Sequence, residues 1–305
     1  MKLMFLGKTK YFVIFSIAVI LAGLIAGIIN GGLNLGIDFT GGSLLTIEGG
    51  PFEDADINAA LSENGISPAA AQIVHSGDDA ILRIQQLPED QNAVKLRESI
   101  IDSLLEKYPE ANAGEIENVG GVTSREIVTN AFLSVVIAAV LMLVYITIRF
   151  ALFSGIAGVV AIIHDVLIMT AFVSIARIQI NSSYIAACLT IVGYSINDTI
   201  VLFDRIRENN RRYGAKELPR KQIADLSIRE TLPRTINTSL TTFITITAVY
   251  VFGVQSIREF ALPIMIGLLS GTYSSIFIAS SIGVWLEDRR GKKPEFKPAA
   301  QKSKA

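Results

Sequence analysis

The chain has 305 residues, 50% of them hydrophobic and 18% charged, with a mean hydropathy of +0.47. That is too apolar for a water-soluble domain of this length and points to several membrane spans. The net charge of −1 implies no nucleic-acid partner, and the single cysteine, Cys188, excludes a disulfide framework within the chain.

The start combines Lys2, Lys8 and Lys10 with an apolar run from Tyr11 to Ile29. This run is long enough to span a bilayer, which needs about 20 residues, and longer than the core of a usual signal peptide. It is expected to be a retained anchor. Six spans are expected in all: 11–30, 128–148, 153–175, 183–203, 235–256 and 260–286. The first ten residues precede them. A polar region at 31–127 separates the first two, a connection at 204–234 follows the fourth, and a basic tail at 287–305 follows the last.

Lys and Arg set the expected orientation. The 204–234 connection holds nine of them and the tail seven, whereas the short connections at 176–182 and 257–259 hold one each, Arg177 and Arg258. Six spans put both ends and the 204–234 connection on one side, expected to be the cytoplasm. The 31–127 region then lies outside. Between 37 and 124 it carries sixteen Asp and Glu against four Lys and Arg, a net −12, which suits solvent rather than an anionic membrane surface.

That region has a readable order. Residues 43–49 alternate as a strand. Residues 54–65 form a helical pattern with Ile57, Ala60 and Leu61 on one face and Gly65 as a stop signal. Two alternating runs flank Gly77-Asp78, a hairpin signal. Residues 90–108 are amphipathic, with Val94, Leu96, Ile100, Ile101, Leu104 and Leu105, and a short strand closes the region at 113–121. The order β-α-β-β-α-β predicts an α+β, ferredoxin-like external domain.

The chemistry-bearing residues lie in the spans. In "VGYSINDTIVLFDRIREN" (192–209), Asn197 and Asp198 interrupt the fourth span. Asp198 is about 9 Å inside its charged end, at about 1.5 Å per residue. A charge at the bilayer centre costs roughly 2.5–3.5 kcal/mol on insertion scales, so such residues usually face a bundle interior and often carry protons or ions. The bland alternative is an interfacial residue that reaches outward, but Asp is short. The fifth span has eight polar residues between Thr235 and Thr247, and Arg234, Thr238, Thr241, Thr242 and Thr245 share one helical face. A cation therefore stands at the end that Asp198 approaches, and protonating Asp198 would remove their attraction. Arg234 taken alone also fits a positive-inside flank. The third span holds His164 and Asp165 near its middle, as a proton relay or as a hydrogen-bonded tie between helices.

These motifs carry a resemblance. "LGIDFTGG" (35–42), "HDVLI" (164–168), the 192–209 stretch and "RTINTSLTT" (234–242) resemble, in order and placement, the SecD/SecF family of bacterial protein-export membrane subunits, in its SecF branch. The resemblance covers almost the whole chain. It implies a polytopic α-helical membrane protein of six transmembrane helices, one half of an RND-type architecture. It implies SecD, the SecYEG channel, YajC, a translocating preprotein and the lipid bilayer as partners. It also implies the bacterial cytoplasmic membrane as location and the proton gradient as energy source, with no cofactor, no metal and no enzyme activity. On this basis the proton pathway falls on Asp198, Arg234, Asn197, Asp165 and His164, and the boundary motif on Gly36, Asp38, Gly41 and Gly42. A second proton-path carboxylate would belong to SecD. One departure is Gly121, where the family often has the proline of Val-Gly-Pro. Two other functions fit the residues: a proton-driven exporter of lipids or small molecules, and a structural subunit that carries no proton.

Overall fold

The computed structural model describes residues 5–68, 71–76, 79–84, 93–114, 116–119, 121–149, 152–253 and 255–289. The chain divides into two units: residues 1–33, 134–178 and 183–305 in one, 34–133 and 179–182 in the other.

The second unit is built on a sheet. After a single helical turn, α2 (Ile37–Thr40), come β1 (Gly42–Glu48), α3 (Asp54–Glu63), β2 (Ala71–Ser76), β3 (Asp79–Ile84), α4 (Ala93–Leu105), β4 (Asn112–Ala113) and β5 (Glu117–Val119). The strand order is β2-β3-β1-β4, with β5 also on β1, and every pairing is antiparallel. Alternate residues of a strand point to opposite faces, so Ser43, Leu45 and Ile47 are buried along β1 while Glu48 is exposed. Leu45 faces Leu82 across the ladder, and Ile73 faces Leu82 from the other side. The core adds Ile57 and Leu61 from α3 and Leu96, Ile100 and Leu104 from α4. The expected face of α4 narrows: Leu105 is exposed, and the side chain of Val94 lies outside the described residues, as do the hairpin residues Gly77 and Asp78. The closing segment forms two short strands rather than one.

The first unit is helical. Among the described residues, six helices are long and apolar enough to cross a membrane, as expected of a multi-pass membrane protein. They are α1 (Thr9–Ile29), α5 (Gly121–Arg149), α6 (Leu152–Ile175), α7 (Ser182–Glu217), α8 (Arg220–Phe252) and a last helix made of α9 (Gln255–Ser274), a π-helical turn (Ser275–Ala279) and α10 (Ser280–Arg289). Gly121 is the first helical residue of α5, a position where proline is also well accommodated.

Helix α6 is the hub of the bundle. It buries a run of small residues (Ser154, Gly155, Ala157, Gly158, Ala161) together with His164 and Asp165. Close backbone approach holds its neighbours. A Cβ on Gly23 of α1 would lie 2.4 Å from Ala171 Cα, and one on Gly267 of α9 would lie 2.5 Å from Met169 Sδ. Small residues at helix crossings are how membrane helices gain contact without a hydrophobic drive.

The structure departs from expectation at the 204–234 connection. It is helical almost throughout, broken at Gly214 with φ 56°. Its charges suggested a loop, but Ile223 is buried, and Ile206, Ala224 and Ile228 are buried in a core with Leu202, Phe203, Ile276 and Val284. Arg205 pairs with Glu230 at 2.7 Å and Glu208 at 2.6 Å. The fully buried Asp225 accepts the backbone N–H groups of Phe5 (2.7 Å) and Leu6 (3.2 Å), satisfying orphan donors where the first helix begins. The fifth span ends at Phe252, not at 256, because Gly253 is extended (φ −77°, ψ 157°).

Candidate functional site

Among the described residues, two buried carboxylates, Asp165 and Asp198, lie within the apolar spans read from the sequence, in opposite circumstances. Asp165, near the middle of α6, is 1% exposed. Its Oδ1 accepts from Ser270 Oγ at 2.7 Å and lies 3.0 Å from His164 Nδ1. Its Oδ2 accepts from Ser195 Oγ at 2.6 Å and Ser274 Oγ at 2.9 Å. Four donors therefore converge on one carboxylate from α6, α7 and α9. A carboxylate accepts, so His164 carries its hydrogen on Nδ1, and Nε2 is left to accept from Ser16 Oγ of α1 (2.7 Å) or Tyr273 OH (3.2 Å). Ser16 and Tyr273 are themselves 3.1 Å apart. The network ties α1, α7 and α9 to α6.

Asp198, on α7, is 5% exposed. Among the described residues it makes no hydrogen bond and no ion pair, and the cation whose charge acts on it through space is Arg234. Its neighbour Thr199 instead bonds Ser275 at 3.0 Å, just where the last helix widens into its π-helical turn.

Asn197 does not join Asp198. Successive helical residues are rotated by about 100°, and Asn197 is exposed while Asp198 is buried. Arg234 is exposed too. The hydroxyl stripe below it divides. Thr242 bonds Tyr194 OH at 2.8 Å, and the same Tyr194 hydroxyl donates to the Thr238 carbonyl at 2.8 Å. Ser239 meets Thr272 at 2.8 Å. Thr241 and Thr245 are exposed and bond carbonyls of their own helix, at 2.9 and 3.0 Å. So α8 uses one edge of the stripe to hold α7 and α9 and leaves the other edge, with Arg234 and Asn237, uncovered.

The boundary motif lies in the sheet unit. Gly41 (φ 72°) and Gly42 (φ 132°) adopt left-handed backbone that a side chain disfavours, which explains the glycine pair leading into β1. Gly36 N donates to the Ile180 carbonyl at 2.8 Å, and Ile180 N to the Asn34 carbonyl at 2.8 Å. Asp38 Oδ2 accepts from the backbone N of Ser182 at 2.7 Å.

Sequence reasoning missed Ser16, Tyr194, Ser195, Ser270, Tyr273 and Ser274. One signal was available: "SGTYSS" (270–275) puts five hydroxyl-bearing residues in six positions of a membrane span.

Fold and site together define a polytopic membrane protein whose bundle buries ionisable side chains, each of them costly in a bilayer. Comparison with known proteins gives the family. Residues 100–289 match the family described as "Protein export membrane protein SecD/SecF, C-terminal", and residues 26–49 match "SecD/SecF GG Motif". The protein translocase subunit SecF of Petrotoga mobilis is 36% identical over 300 residues, covering 94% of this chain and 97% of that protein. The protein translocase subunit SecDF of Bacillus subtilis is 34% identical over 294 residues, covering 95% of this chain and 39% of that longer one. The crystal structure of SecDF, described as a translocon-associated membrane protein, from Thermus thermophilus superposes with a TM-score of 0.84 at 33% identity. That match covers 93% of this chain, which spans 38% of the longer one. The chain belongs to the SecD/SecF family of protein-export membrane proteins.

Proposed function

We propose that this chain is the SecF-type subunit of the Sec protein-export machinery and that, with a SecD-type half, it uses the proton-motive force to promote late translocation and release of preproteins. The observation that carries the proton step is Asp198, a buried membrane carboxylate with no hydrogen bond among the described residues and with Arg234 as a through-space cation. Among the described residues, gaining or losing a proton at Asp198 breaks no hydrogen bond, yet it switches on and off a charge that acts on Arg234 through space. Asp165 and His164 take the other role left open by the sequence. Protonating Asp165 would displace one of four donors, so the pair is better read as the tie that holds α1, α6, α7 and α9 together.

The partner half is supported by what the bundle leaves uncovered. Arg234, Asn237 and Thr241 on α8 and Asn197 on α7 are exposed on membrane-crossing helices, where polar groups need a protein partner or water. Relatives named SecDF, more than twice as long as their match to this chain, fit a SecD-type partner. SecYEG, YajC and a preprotein complete the proposed assembly in the bacterial cytoplasmic membrane, with both termini inside. The sheet unit would be the outer domain. Its strand order and two helices fit a ferredoxin-like split β-α-β unit.

The test uses the chain assembled with SecD and a working Sec channel in vesicles. Wild type should release a secretory protein faster with a proton gradient than without, and Asp198→Asn should lose that difference. Equal gradient stimulation in both would remove Asp198 from the proton path and favour the structural-subunit reading.

A further inference from the structure

A groove between α1 and α6 has no part in the proton reading or in the contact with a partner half. It encloses about 510 Å³. Its floor is made of small residues. A Cβ on Gly23 would lie 2.4 Å from Ala171 Cα, and one on Gly27 would lie 3.2 Å from Ser174 Oγ, so the two helices touch there and leave a furrow above the contact. Leu24, Ile28 and Leu167 wall the furrow and are exposed. The two hydroxyls in the lining turn inward. Ser174 Oγ donates to the Gly23 carbonyl at 2.8 Å. Thr170 Oγ1 donates to the Val166 carbonyl at 2.8 Å and accepts from Tyr184 OH at 2.7 Å. The groove therefore presents hydrocarbon. It follows α1 from Ile20 to the helix end at Ile29. That is about 14 Å at 1.5 Å per residue, close to the depth of one leaflet, about half of the roughly 30 Å hydrocarbon core.

The mouth of the groove is basic. Gly31 and Gly32 line it, and a Cβ on either would meet open space. Arg177 donates through Nη1 to the Gly32 carbonyl at 3.0 Å, which sets its guanidinium at this rim. Arg177 is exposed. With φ 54° it is the one non-glycine residue in left-handed backbone among the described residues. It closes α6, where the Ile178 N–H bonds back to the Val173 carbonyl at 3.0 Å, a helix ending that usually places glycine at this position. A strained arginine in glycine's place points to a use for its side chain.

We infer that the groove binds one phospholipid, with an acyl chain along Gly23 and Gly27 and the phosphate of an anionic headgroup at Arg177. The face favours lipid over a protein helix. The outward residues of α1 here, Leu21, Leu24, Ile25 and Ile28, are apolar, whereas the uncovered edge of α8 carries Arg234, Asn237 and Thr241. Polar groups on a span call for protein or water, and a face without them suits lipid. A lipid tail is as apolar as leucine, so leaving other tails gains it nothing by itself. Close contact in the furrow holds the tail, and the headgroup sets the selectivity. A guanidinium matches a phosphate with paired N–H donors.

The experiment uses the full chain assembled with SecD in nanodiscs of equal phosphatidylglycerol and phosphatidylcholine. Native mass spectrometry counts the lipid that stays bound on release. Wild type should keep one phosphatidylglycerol in preference to phosphatidylcholine by about fivefold, the gain from one basic residue beside anionic headgroups. Arg177→Gly suits the backbone and should leave Tm unchanged, yet abolish the preference. Arg177→Lys should restore most of it. Leu24→Trp and Leu167→Trp fill the groove from opposite walls and should lose the retained lipid of either kind. An undiminished preference in Arg177→Gly would overturn the headgroup contact, and a lipid retained in both tryptophan variants would overturn the groove. In a Cys188→Ala background, disulfide capture of Leu24→Cys by a cysteine scanned along the SecD spans would seat protein there and overturn the lipid. None of these readouts needs a proton gradient, so failure of the proton reading would leave them unchanged.

Discussion

Asp165→Ala isolates the tie at the centre of the bundle. It removes one acceptor and leaves Ser195, Ser270, Ser274 and His164 with donors aimed at nothing. Hydrogen bonds to a charged group are each worth about 1.5–3 kcal/mol. The sum is not recoverable in full, because hydroxyls can turn to helix carbonyls; Ser274 Oγ is already 3.3 Å from the Gly271 carbonyl. A buried donor left without its acceptor typically costs about 1–3 kcal/mol, so with the hydroxyls partly re-satisfied a loss of about 3–5 kcal/mol is expected. At roughly 2–4 °C per kcal/mol for a chain of this size, Tm should fall on the order of 10 °C. The assay is thermal unfolding of the purified protein in detergent, with Asp198→Ala as control. Asp198 has no hydrogen bond to lose among the described residues, so its variant should unfold within a few degrees of wild type. Ser270→Ala should cost little more once Asp165 is gone, since the two share one interaction. A Tm for Asp165→Ala within about 2 °C of wild type would refute the tie.

Other expected outcomes follow from the same contacts. In the sheet unit, Leu82→Ala removes a fully buried side chain packed against Leu45 and Ile73 and should cost about 2–5 kcal/mol, read by denaturant unfolding. Asp225→Ala leaves the N–H groups of Phe5 and Leu6 without their acceptor, and faster amide exchange confined to those two residues is the expected sign. The Lys107 ammonium at 2.7 Å and the Tyr108 hydroxyl hold the Asp56 carboxyl below its ordinary value near 3.8. Its contribution to stability is thus present above pH 3.8 and lost as pH falls through the lowered value. Titration of selectively labelled Asp56 by NMR should show the depression in wild type and its relief in Lys107→Ala.

The membrane spans were legible because length and apolarity are one-dimensional properties, and α6 and α7 carry them plainly. Their ends were not. Arg205, Arg207 and Arg211 make the end of α7 look like a loop, yet the helix runs on because its buried Ile206 packs in one core with Ala224 and Ile228 of α8. The sheet unit was legible from alternation and turn signals, since β1 alternates in burial residue by residue. Asp165 and Asp198 were visible as charges out of place. What separates them is which donors surround each, and those come from Ser195, Ser270 and Ser274 on two other helices. Serine in a span has no periodic signature, because it can satisfy itself on its own helix, as Thr241 and Thr245 do. Asn197 shows the converse limit. It adjoins Asp198 in sequence but faces out, because one step along a helix turns the side chain by about 100°.

The central claim is that Asp198 gains and loses a proton while Asp165 does not. Infrared difference spectroscopy of the chain assembled with SecD, recorded across a pH step, measures carboxyl protonation directly. The account predicts a carboxyl band in wild type that persists in Asp165→Asn and is lost in Asp198→Asn. A band that survives Asp198→Asn and vanishes in Asp165→Asn would contradict it, and would move the proton to the carboxylate that the structure holds with four donors.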